Sequence, residues 1–367
     1  METWNKDKPG VPIRVWASRV DKESRKRLER LARNPVLAGP LAVMPDVHAS
    51  GKICVGTVLV TEHQIIRGAV GDDLGCGMAV RKLSIEASRF SREDLEKLLR
   101  ELAAVIPVGR KSHSRPQDVP GRLFERELSS HYLEHERQFL APRHIGTLGG
   151  GNHFVELQRD GSGALWVSIH SGSRGMGPVL VSFHTKNATS EEAVWNDYGW
   201  AFAFAEANRA VMQDQVLAVL STFTGEKIEV LDGFDVPHNV ITREKHAGKS
   251  LIVHRKGAMG LKPGERGLIP GSMGTASYIV EGLGCGTAYG SCSHGAGRLL
   301  TRTEARAQIS LERLRREMGG VVYPAGLKRE LCEEAPSAYK PIKEVLSEQE
   351  ELARPLLQLR PVAVLKG

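Results

Sequence analysis

Apolar residues recur at helical spacing in several stretches of the chain. Ser91-Arg92-Glu93-Asp94 has the form of a capping box, and leucines at 95, 98, 99 and 102 follow it until Pro107. The same reasoning predicts a long helix from about Glu191 to Leu220 that stops before Gly225, and another from about Thr303 to Met318 that ends at two glycines. A basic amphipathic helix is predicted over Val20–Arg33. Its charges are first interpreted as a solvated face, with RNA contact as the alternative.

Short apolar and β-branched runs between these helices predict strands. They cover Ile53–Val60, Ile65–Val70, Leu165–Ile169, Lys227–Leu231, Leu251–Val253 and Pro361–Leu365. Because the runs do not alternate regularly with helices, a doubly wound parallel sheet fits poorly. An α+β fold with packed β-sheets flanked by helices fits better. No long linker divides the sequence, so we expect one compact domain over residues 1–367.

Composition narrows the class of protein. The 367 residues include 50 basic and 43 acidic side chains, a net charge of +7 that favours a polyanionic partner such as nucleic acid. Five cysteines without a Cys-x-x-Cys pair are typical of reduced, cytosolic proteins. Neither an apolar leader core nor a membrane-spanning run is visible. We therefore expect a cytoplasmic location and no membrane partner.

Metal-binding or nucleophilic residue types occur in loops with small-residue surroundings, and several of the 39 glycines lie in these loops. These loops are Asp72–Gly77, Gly146–His153, Ser168–Gly175, Asp235–Asn239 and Ser291–Arg298. Glycine lets backbone amides approach a phosphate, and histidine, cysteine and aspartate bind divalent transition metals. One thiolate, one carboxylate and three imidazoles that could hold two such ions are available in Asp73, Cys76, His153, His170 and His238.

Several common nucleotide and hydrolase motifs are missing. The sequence has no Walker A motif, no G-x-G-x-x-G that leads from a strand into a helix, and no G-x-S-x-G elbow in a strand–turn–helix context. A P-loop NTPase, a nicotinamide dehydrogenase and a serine hydrolase of the elbow type are therefore poor interpretations.

Taken together, the loops resemble those of the RtcB-type RNA ligases, the GTP-dependent enzymes of tRNA splicing and RNA repair. The similarity runs from Met44-Pro45-Asp46-Val47-His48 to Leu365-Lys366-Gly367. Its most specific parts are Gly75–Gly77, Gly151–Glu156, His254–Ala258, Ile269–Tyr278 and Ser293–Arg298. The order and joint presence of these motifs make chance agreement very improbable.

The resemblance implies a role for each matching position. His294 would be the catalytic nucleophile that attacks the α-phosphate of GTP. Two Mn²⁺ ions would be held by Asp73, Cys76, His153, His170 and His238, with Cys76 bridging them. The residues expected to bind the guanine nucleotide are Asn152, Glu156, Ser272, Ser277, Gly295, Ala296, Gly297, Arg298, Tyr339 and Lys366.

The implied reaction joins an RNA 2′,3′-cyclic phosphate or 3′-phosphate end to a 5′-hydroxyl end. It would proceed through a histidine–GMP intermediate and a GMP-activated 3′ end, with an archease-type activator as a possible partner. Departures from the family pattern occur at Ala49–Gly56, Arg67–Gly71 and Met259-Gly260, in a chain that is short for the family. We therefore expect a divergent, compact paralogue with a role in RNA repair rather than in tRNA splicing.

Three other functions stay open on the sequence alone. The chain could cap 3′-phosphate RNA or DNA ends with GMP without sealing them, act as a dinuclear metal phosphoesterase, or bind RNA with relict loops. The role of His48 is open between contact with an RNA end or phosphate and a structural one. His184 is expected to be structural, and Cys285 and Cys292 are expected to be small packing groups.

Overall fold

The computed structural model describes residues 1–324 and 329–367. Its α-helices are α1 (Lys22–Leu31), α2 (Arg92–Val105), α3 (His131–His144), α4 (Met176–Lys186), α5 (Glu191–Thr224), α6 (Arg302–Gln308), α7 (Leu311–Glu317) and α8 (Ile342–Ser347). Its strands are β1 (Glu2–Trp4), β2 (Ile13–Val15), β3 (Leu41–His48), β4 (Val55–Thr61), β5 (Gly77–Glu86), β6 (Phe154–Arg159), β7 (Ala164–Ser171), β8 (Val230–Pro237), β9 (Asn239–His246), β10 (Lys249–Lys256), β11 (Ala258–Gly260), β12 (Arg266–Ile269), β13 (Ser277–Gly282), β14 (Ser291–Ser293) and β15 (Ala353–Lys366).

The chain forms two compact units, each assembled from separate stretches of sequence. Unit 1 contains residues 1–71, 236–318 and 329–358, and unit 2 contains residues 72–235, 319–324 and 359–367. Both units combine sheets with helices, which confirms the predicted α+β class. The prediction of one domain over residues 1–367 stays a prediction, since a division by internal contacts does not decide whether the units fold independently.

Unit 1 is built on a six-stranded sheet in the order β1-β2-β3-β4-β10-β9. The pair β2–β3 is parallel, and the other neighbouring strands whose register is defined run antiparallel. The central strand β3 is buried along Leu41–Val47, as its apolar sequence requires. Its register against β4 shifts between Val43 and His48. The acidic residue Asp46 lies within this irregular part of the strand.

Unit 2 places β15, β6, β7, β5 and β8 side by side in that order. Successive side chains along β6 and β7 point to opposite faces of this sheet. Val155, Leu157, Val167 and Ile169 join the hydrophobic core together with leucines of α2 and apolar residues of α5. Polar residues occupy the intervening positions, so the opposite face of the same strands is available for chemistry.

The strongest sequence patterns are confirmed. α2 begins with the predicted capping box, in which Ser91 and Asp94 exchange side-chain and backbone hydrogen bonds, and Leu95, Leu98, Leu99 and Leu102 are buried. The long helix α5 ends at Gly225, which has a left-handed backbone with φ of 71°. The basic helix predicted over Val20–Arg33 is present as α1.

Other predictions are wrong in part. The single helix expected over Thr303–Met318 is two helices, because Ser310 caps α7 through a hydrogen bond from the Arg313 amide and the chain turns there. The run Ile65–Val70 forms turns and no strand, and the predicted strand at Lys227–Leu231 begins only at Val230. α3 and α4 were not predicted. Among the described residues, no helix is both long enough and apolar enough to cross a membrane.

Candidate active site

The polar face of the unit 2 sheet carries a buried hydrogen-bonded chain. Gln158 donates to Glu156 at 2.5 Å, and Ser168 on the neighbouring strand donates to Gln158 at 2.6 Å. Burial raises the pKa of Glu156 to about 8, against the opposing effects of the Gln158 hydrogen bond and the charge of Lys366. Glu156 is therefore mostly protonated at neutral pH, and a ligand that offers N–H donors would favour its ionised form.

Four of the five predicted metal ligands come together at the end of the same sheet. The Cys76 Sγ atom lies 3.4 Å from Nε2 of His153 and 3.2 Å from Nε2 of His170. The Asp73 carboxylate lies 2.9 Å from Nε2 of His153. Asp73, Cys76 and His153 offer their ligand atoms within 4.8 Å of one another. A thiolate, a carboxylate and imidazole nitrogens at these spacings suit Mn²⁺, Zn²⁺ or Co²⁺.

The backbone fixes which nitrogen each histidine presents. Nδ1 of His153 lies 2.9 Å from the Leu148 carbonyl, and Nδ1 of His170 lies 3.1 Å from the Asn152 carbonyl. A carbonyl only accepts, so Nδ1 carries a proton in both rings, and Nε2 is the atom that each ring can offer to a cation. Metal-binding histidines usually donate their other ring N–H to a carbonyl or carboxylate in this way. Both rings are therefore oriented to bind a cation through Nε2.

The Asp73 carboxylate favours a cation as it stands, whereas the Cys76 thiol would ionise only when a cation is bound. Although burial opposes it, the charge and hydrogen bond of His153 hold the pKa of Asp73 below its usual value. Burial raises the pKa of the Cys76 thiol well above its usual range, and the Asp73 carboxylate raises it further. A cation bound here would reverse that effect by stabilising the thiolate. Gly172 leaves room for the Asp73 carboxylate, because a side chain there would overlap it.

Helix α5 holds the loops that carry these ligands. The buried Asn208 side chain bonds both the amide and the carbonyl of Thr147, at 3.1 and 3.0 Å. The next residue, Arg209, donates to the carbonyls of Gly75 and Ser171 at 2.8 and 2.9 Å. Arg209 also forms a two-pronged ion pair with Asp235 at 2.6 and 2.7 Å. Two adjacent side chains of one helix thus fix the loops before Cys76, His153 and Gly172.

In unit 1 the predicted nucleophile is paired with a buried acid. Nδ1 of His294 lies 2.7 Å from Oδ2 of Asp46, and the His294 amide donates to the same oxygen at 3.1 Å. Asp46 is fully buried, and the His294 side chain is 12 % exposed. A carboxylate at Nδ1 places a proton there, so in a neutral ring Nε2 carries the lone pair. The ring of His238, the fifth predicted metal ligand, lies 4.5 Å from that of His294.

The strand around Asp46 is held by a buried ammonium group. Nζ of Lys340 donates to the carbonyls of Pro45 and Val47, at 2.7 and 3.1 Å. The backbone amide of Lys340 donates to the Gly297 carbonyl at 2.9 Å. Gly297 has φ of 74°, and a side chain there would overlap the backbone of Asp46. Lys340 therefore connects the loop of His294 to the strand of Asp46.

His48 is half-buried and follows Asp46 at the end of β3. Its Nδ1 lies 2.9 Å from the Asp46 carbonyl. Burial lowers the pKa of His48 to about 4, despite the opposing influence of Asp46. His48 is therefore neutral at physiological pH. Its contact with an RNA end stays a prediction.

Two of the predicted nucleotide-binding residues form a polar cluster with Glu334. Arg298 donates to the Tyr339 hydroxyl at 2.8 Å, and that hydroxyl donates to Glu334 at 2.6 Å. The Arg298 guanidinium lies over the Tyr339 ring, 4.8 Å from its centroid. Arg302 reinforces Glu334 at 3.0 Å. The cluster fixes the orientation of the Tyr339 ring.

The other predicted nucleotide-binding residues are distributed over both units. In unit 1, Ser272 bonds Thr275, Ser277 begins β13, and Gly295 and Ala296 follow His294. In unit 2, Asn152 is exposed, and Lys366 pairs with Phe154 between β15 and β6. Nucleotide binding by these residues stays a prediction.

Sequence reasoning missed the residues that position the chemistry. Asp46 lies in the Met44–His48 motif, where the sequence gives it no role, although an acidic residue inside the apolar run Leu41–Val47 is a signal of a buried, partnered carboxylate. Asn208 and Arg209 carry a similar signal, since they are polar residues on the apolar side of a long helix. Lys340 gave no signal, because only the tertiary structure shows that it is buried.

Comparison with known proteins identifies the family. The family model for the tRNA-splicing ligase RtcB matches residues 27–367. The RNA-splicing ligase RtcB of Escherichia coli K12 is 32 % identical, over 97 % of this chain and 98 % of that protein. The tRNA-splicing ligase RtcB of Thermococcus kodakarensis is 30 % identical, over 97 % of this chain and 95 % of its own. This chain belongs to the RtcB family, which confirms the resemblance found in its sequence motifs.

A second E. coli protein is also similar. The RNA-splicing ligase RtcB2 of strain ATCC 25922 is 30 % identical, over 88 % of this chain and 87 % of that protein. Paralogous RtcB proteins therefore occur within one strain, since the same strain has an RtcB1 that is 32 % identical to this chain.

Proposed function

We propose that this chain is a GTP-dependent RNA ligase that joins 2′,3′-cyclic phosphate or 3′-phosphate ends to 5′-hydroxyl ends. Family membership supports the ligase class. The observation that carries the mechanism is the Asp46–His294 pair, which leaves Nε2 of a partly accessible imidazole without the proton. A role in the repair of cut RNA, rather than in tRNA splicing, and an archease-type activator remain parts of the proposal.

His294 performs the first step. Its Nε2 attacks the α-phosphate of GTP, a nitrogen–phosphorus bond forms, and pyrophosphate leaves. The ring becomes cationic, and the buried Asp46 carboxylate at Nδ1 stabilises that charge. A 2′,3′-cyclic phosphate end is first hydrolysed by water, which breaks the bond to the 2′-oxygen and leaves a 3′-phosphate. Transfer of GMP to this RNA 3′-phosphate breaks the nitrogen–phosphorus bond and returns the neutral imidazole. The 5′-hydroxyl of the second RNA end then attacks the activated phosphate and displaces GMP.

Asp73, Cys76, His153 and His170 would hold the metal, and the resemblance adds His238 to this set. The bound ions, which we propose to be two Mn²⁺, would neutralise phosphate charge and assist departure of pyrophosphate. The protein residues contribute the fixed Nε2 lone pairs of His153 and His170 and the buried thiol of Cys76. Gly172 and Arg209 keep the loops in place for this role.

Glu156 and Lys366 are proposed to recognise the guanine base, and Tyr339 to pack against it. Guanine offers N–H donors, so its binding would favour the ionised form of Glu156. Because the pKa of the unliganded acid is about 8, GTP binding should release a proton near neutral pH. Weaker binding below pH 7 than at pH 9 would follow from this linkage.

The test of the proposed function is covalent labelling. The protein is incubated with α-labelled GTP and Mn²⁺ and separated under denaturing conditions. We expect an acid-labile, base-stable guanylate on the wild type and on His63→Ala, a control at a fully exposed histidine, but none on His294→Ala. Label on His294→Ala equal to that on the wild type would refute the assigned nucleophile.

Product analysis separates ligation from the alternative activities. An RNA with a 5′-hydroxyl and a labelled 3′-phosphate should yield a sealed product in a reaction that depends on GTP. Accumulation of a stable 3′-GMP cap would show capping without sealing. Loss of the phosphate without any covalent guanylate would identify a phosphoesterase.

A further inference from the structure

One face of α1 carries a row of basic residues that the proposed chemistry does not use. Lys22, Lys26 and Arg30 are four residues apart, and Arg33 follows three residues later in the turn after the helix. At about 100° per residue, these positions fall within roughly 80° of arc. We call these four residues the α1 basic stripe. All four are exposed.

The position of the stripe follows from the amphipathic pattern. Ser24 and Leu28 are buried, and Leu31 is half-buried, which defines the inward side of α1. The stripe lies opposite that side, so its side chains cannot be explained by packing. Because α1 rises by about 1.5 Å per residue, the interval from Lys22 to Arg33 covers roughly 16 Å.

The acidic residues of α1 pair with basic residues that are not part of the stripe. Glu23 pairs with Arg27 at 2.7 Å on one flank of the stripe, and Glu29 pairs with Arg25 at 3.5 Å on the other. The hydrogen bond from Arg27 lowers the pKa of Glu23 most, and the more distant fields of Lys26 and Arg30 add to it. Within the described residues, no salt bridge or side-chain hydrogen bond involves any member of the stripe. Four cations on one face are thus left for an external anion.

The helix is tied to the segment that follows the Asp46–His48 motif. Arg27 donates to the carbonyl of Gly51, and Lys256 donates to the carbonyls of Ser50 and Ile53 at 3.0 and 2.6 Å. Exposed Lys52 lies in the same short segment. Within unit 1, the segment that follows the Asp46–His48 motif is therefore tied to Arg27 of α1 and carries one further exposed cation, Lys52.

We propose that the α1 basic stripe is a docking surface for the RNA backbone, outside the groups that react. The proposal rests on the proposed function, because the partner is the RNA whose ends are joined. Charge complementarity carries it: a row of unpaired cations fits a polyphosphate, and the net charge of +7 favours the same partner. This assignment replaces our first interpretation of these charges as a solvated face. Contacts of this kind position the strand and carry no sequence information.

The test measures RNA binding without ligation. A fluorescent single-stranded RNA of about 20 nucleotides with blocked ends is titrated between about 50 and 200 mM salt. For Lys22→Gln/Lys26→Gln/Arg30→Gln/Arg33→Gln, we expect weaker binding at low salt. The slope of log K against log salt should be less steep by up to about 3, at roughly 0.7 per phosphate contact.

Two control variants identify the cause. The charge-preserving variant Lys22→Arg/Lys26→Arg/Arg30→Lys/Arg33→Lys should keep the wild-type slope. Lys97→Gln/Arg100→Gln removes exposed cations from α2 instead, and should also keep it. A stripe variant with the wild-type slope, or equal losses in the α2 variant, would overturn the proposal. Thermal unfolding of each variant checks that weaker RNA binding does not result from a destabilised fold.

Two further measurements separate this proposal from its alternatives. Binding to vesicles of equal parts phosphatidylserine and phosphatidylcholine that depends on the stripe, without stripe-dependent RNA binding, would assign the surface to a membrane and overturn the proposal. GTP labelling of the wild type is scored separately. If labelling fails while the salt slope depends on the stripe, the proposed function fails and the docking surface stands.

Discussion

Asp46 is buried, and a single oxygen of its carboxylate accepts both the ring and the backbone N–H of His294. Asp46→Asn keeps the shape of this side chain but removes the charge that stabilises the imidazolium formed during attack. We expect the rate of GTP labelling to fall by about 10²- to 10⁴-fold, as in other Asp–His pairs. Asp118→Asn, at an exposed position, should label at the wild-type rate. An unchanged rate in Asp46→Asn would mean that the carboxylate is only structural.

Glu156 allows a prediction about stability. Burial raises its pKa from 4.5 to about 8, so between these values the folded state holds a proton that the unfolded state has lost. The stabilising contribution is fully present below about pH 4.5 and is lost as pH rises through about 8. Glu156→Gln does not titrate. In metal-free protein, we expect its melting temperature relative to the wild type to rise between about pH 6 and pH 9.

The control for this effect is an exposed acid on α5. Glu206→Gln, a substitution at an exposed position of the same residue type, should show no comparable pH-dependent difference from the wild type. A difference between Glu156→Gln and the wild type that is constant with pH would show that Glu156 is ionised throughout this range.

At the scale of the element, α5 connects the loops that carry the candidate metal ligands. Arg209→Met removes the donors to Gly75 and Ser171 and leaves the Asp235 carboxylate without its partner. Breaking such a pair costs about 3 kcal/mol, and we expect both a lower free energy of unfolding and weaker Mn²⁺ binding by calorimetric titration. Glu206→Gln, on the exposed side of the same helix, should change neither. Unaltered Mn²⁺ affinity in Arg209→Met would show that the loops hold their shape without the helix.

Elements with complete local signals could be predicted from the sequence. α2 has a cap, a leucine pattern and a terminating proline, and α5 has a capping serine and a left-handed glycine. The helix expected over Thr303–Met318 is interrupted because Ser310 can cap a new helix as readily as it can continue an old one. α3 contains Pro142 and has no apolar stripe, so its sequence resembles a loop. Only the tertiary structure determines these last two outcomes.

The candidate site also contains residues that can be identified from the sequence and residues that cannot. Asp73, Cys76 and His153 lie in glycine-rich loops, and His170 lies near the end of β7, two residues before Gly172. This local composition was enough to select the four as candidate ligands. The residues that orient them act across long sequence separations, such as Arg209 on Gly75 and Lys340 on Pro45. No local pattern connects such partners. The groups that perform the chemistry can therefore be identified from sequence motifs, whereas the groups that position them need the fold.

At the scale of the whole molecule, neither unit is a continuous piece of chain. Residues 1–71, 236–318 and 329–358 build unit 1, and the intervening stretches with the last nine residues build unit 2. β15 contributes its first residues to unit 1 and its last residues to unit 2. Because each unit is built from separated stretches, its core is complete only after the chain has also passed through the other unit and returned. This interleaving favours cooperative folding of the whole chain.

Calorimetry tests the single-domain prediction. At about 0.7 kcal/mol per residue, 367 residues should unfold with an enthalpy near 260 kcal/mol at about 60 °C. For one cooperative domain, the van 't Hoff enthalpy should equal this calorimetric value. Units that unfold separately would each give about half of it. We expect one transition, and we expect Arg209→Met in unit 2 to move the whole transition to lower temperature. A second peak that the substitution leaves in place would show that unit 1 is an independent domain.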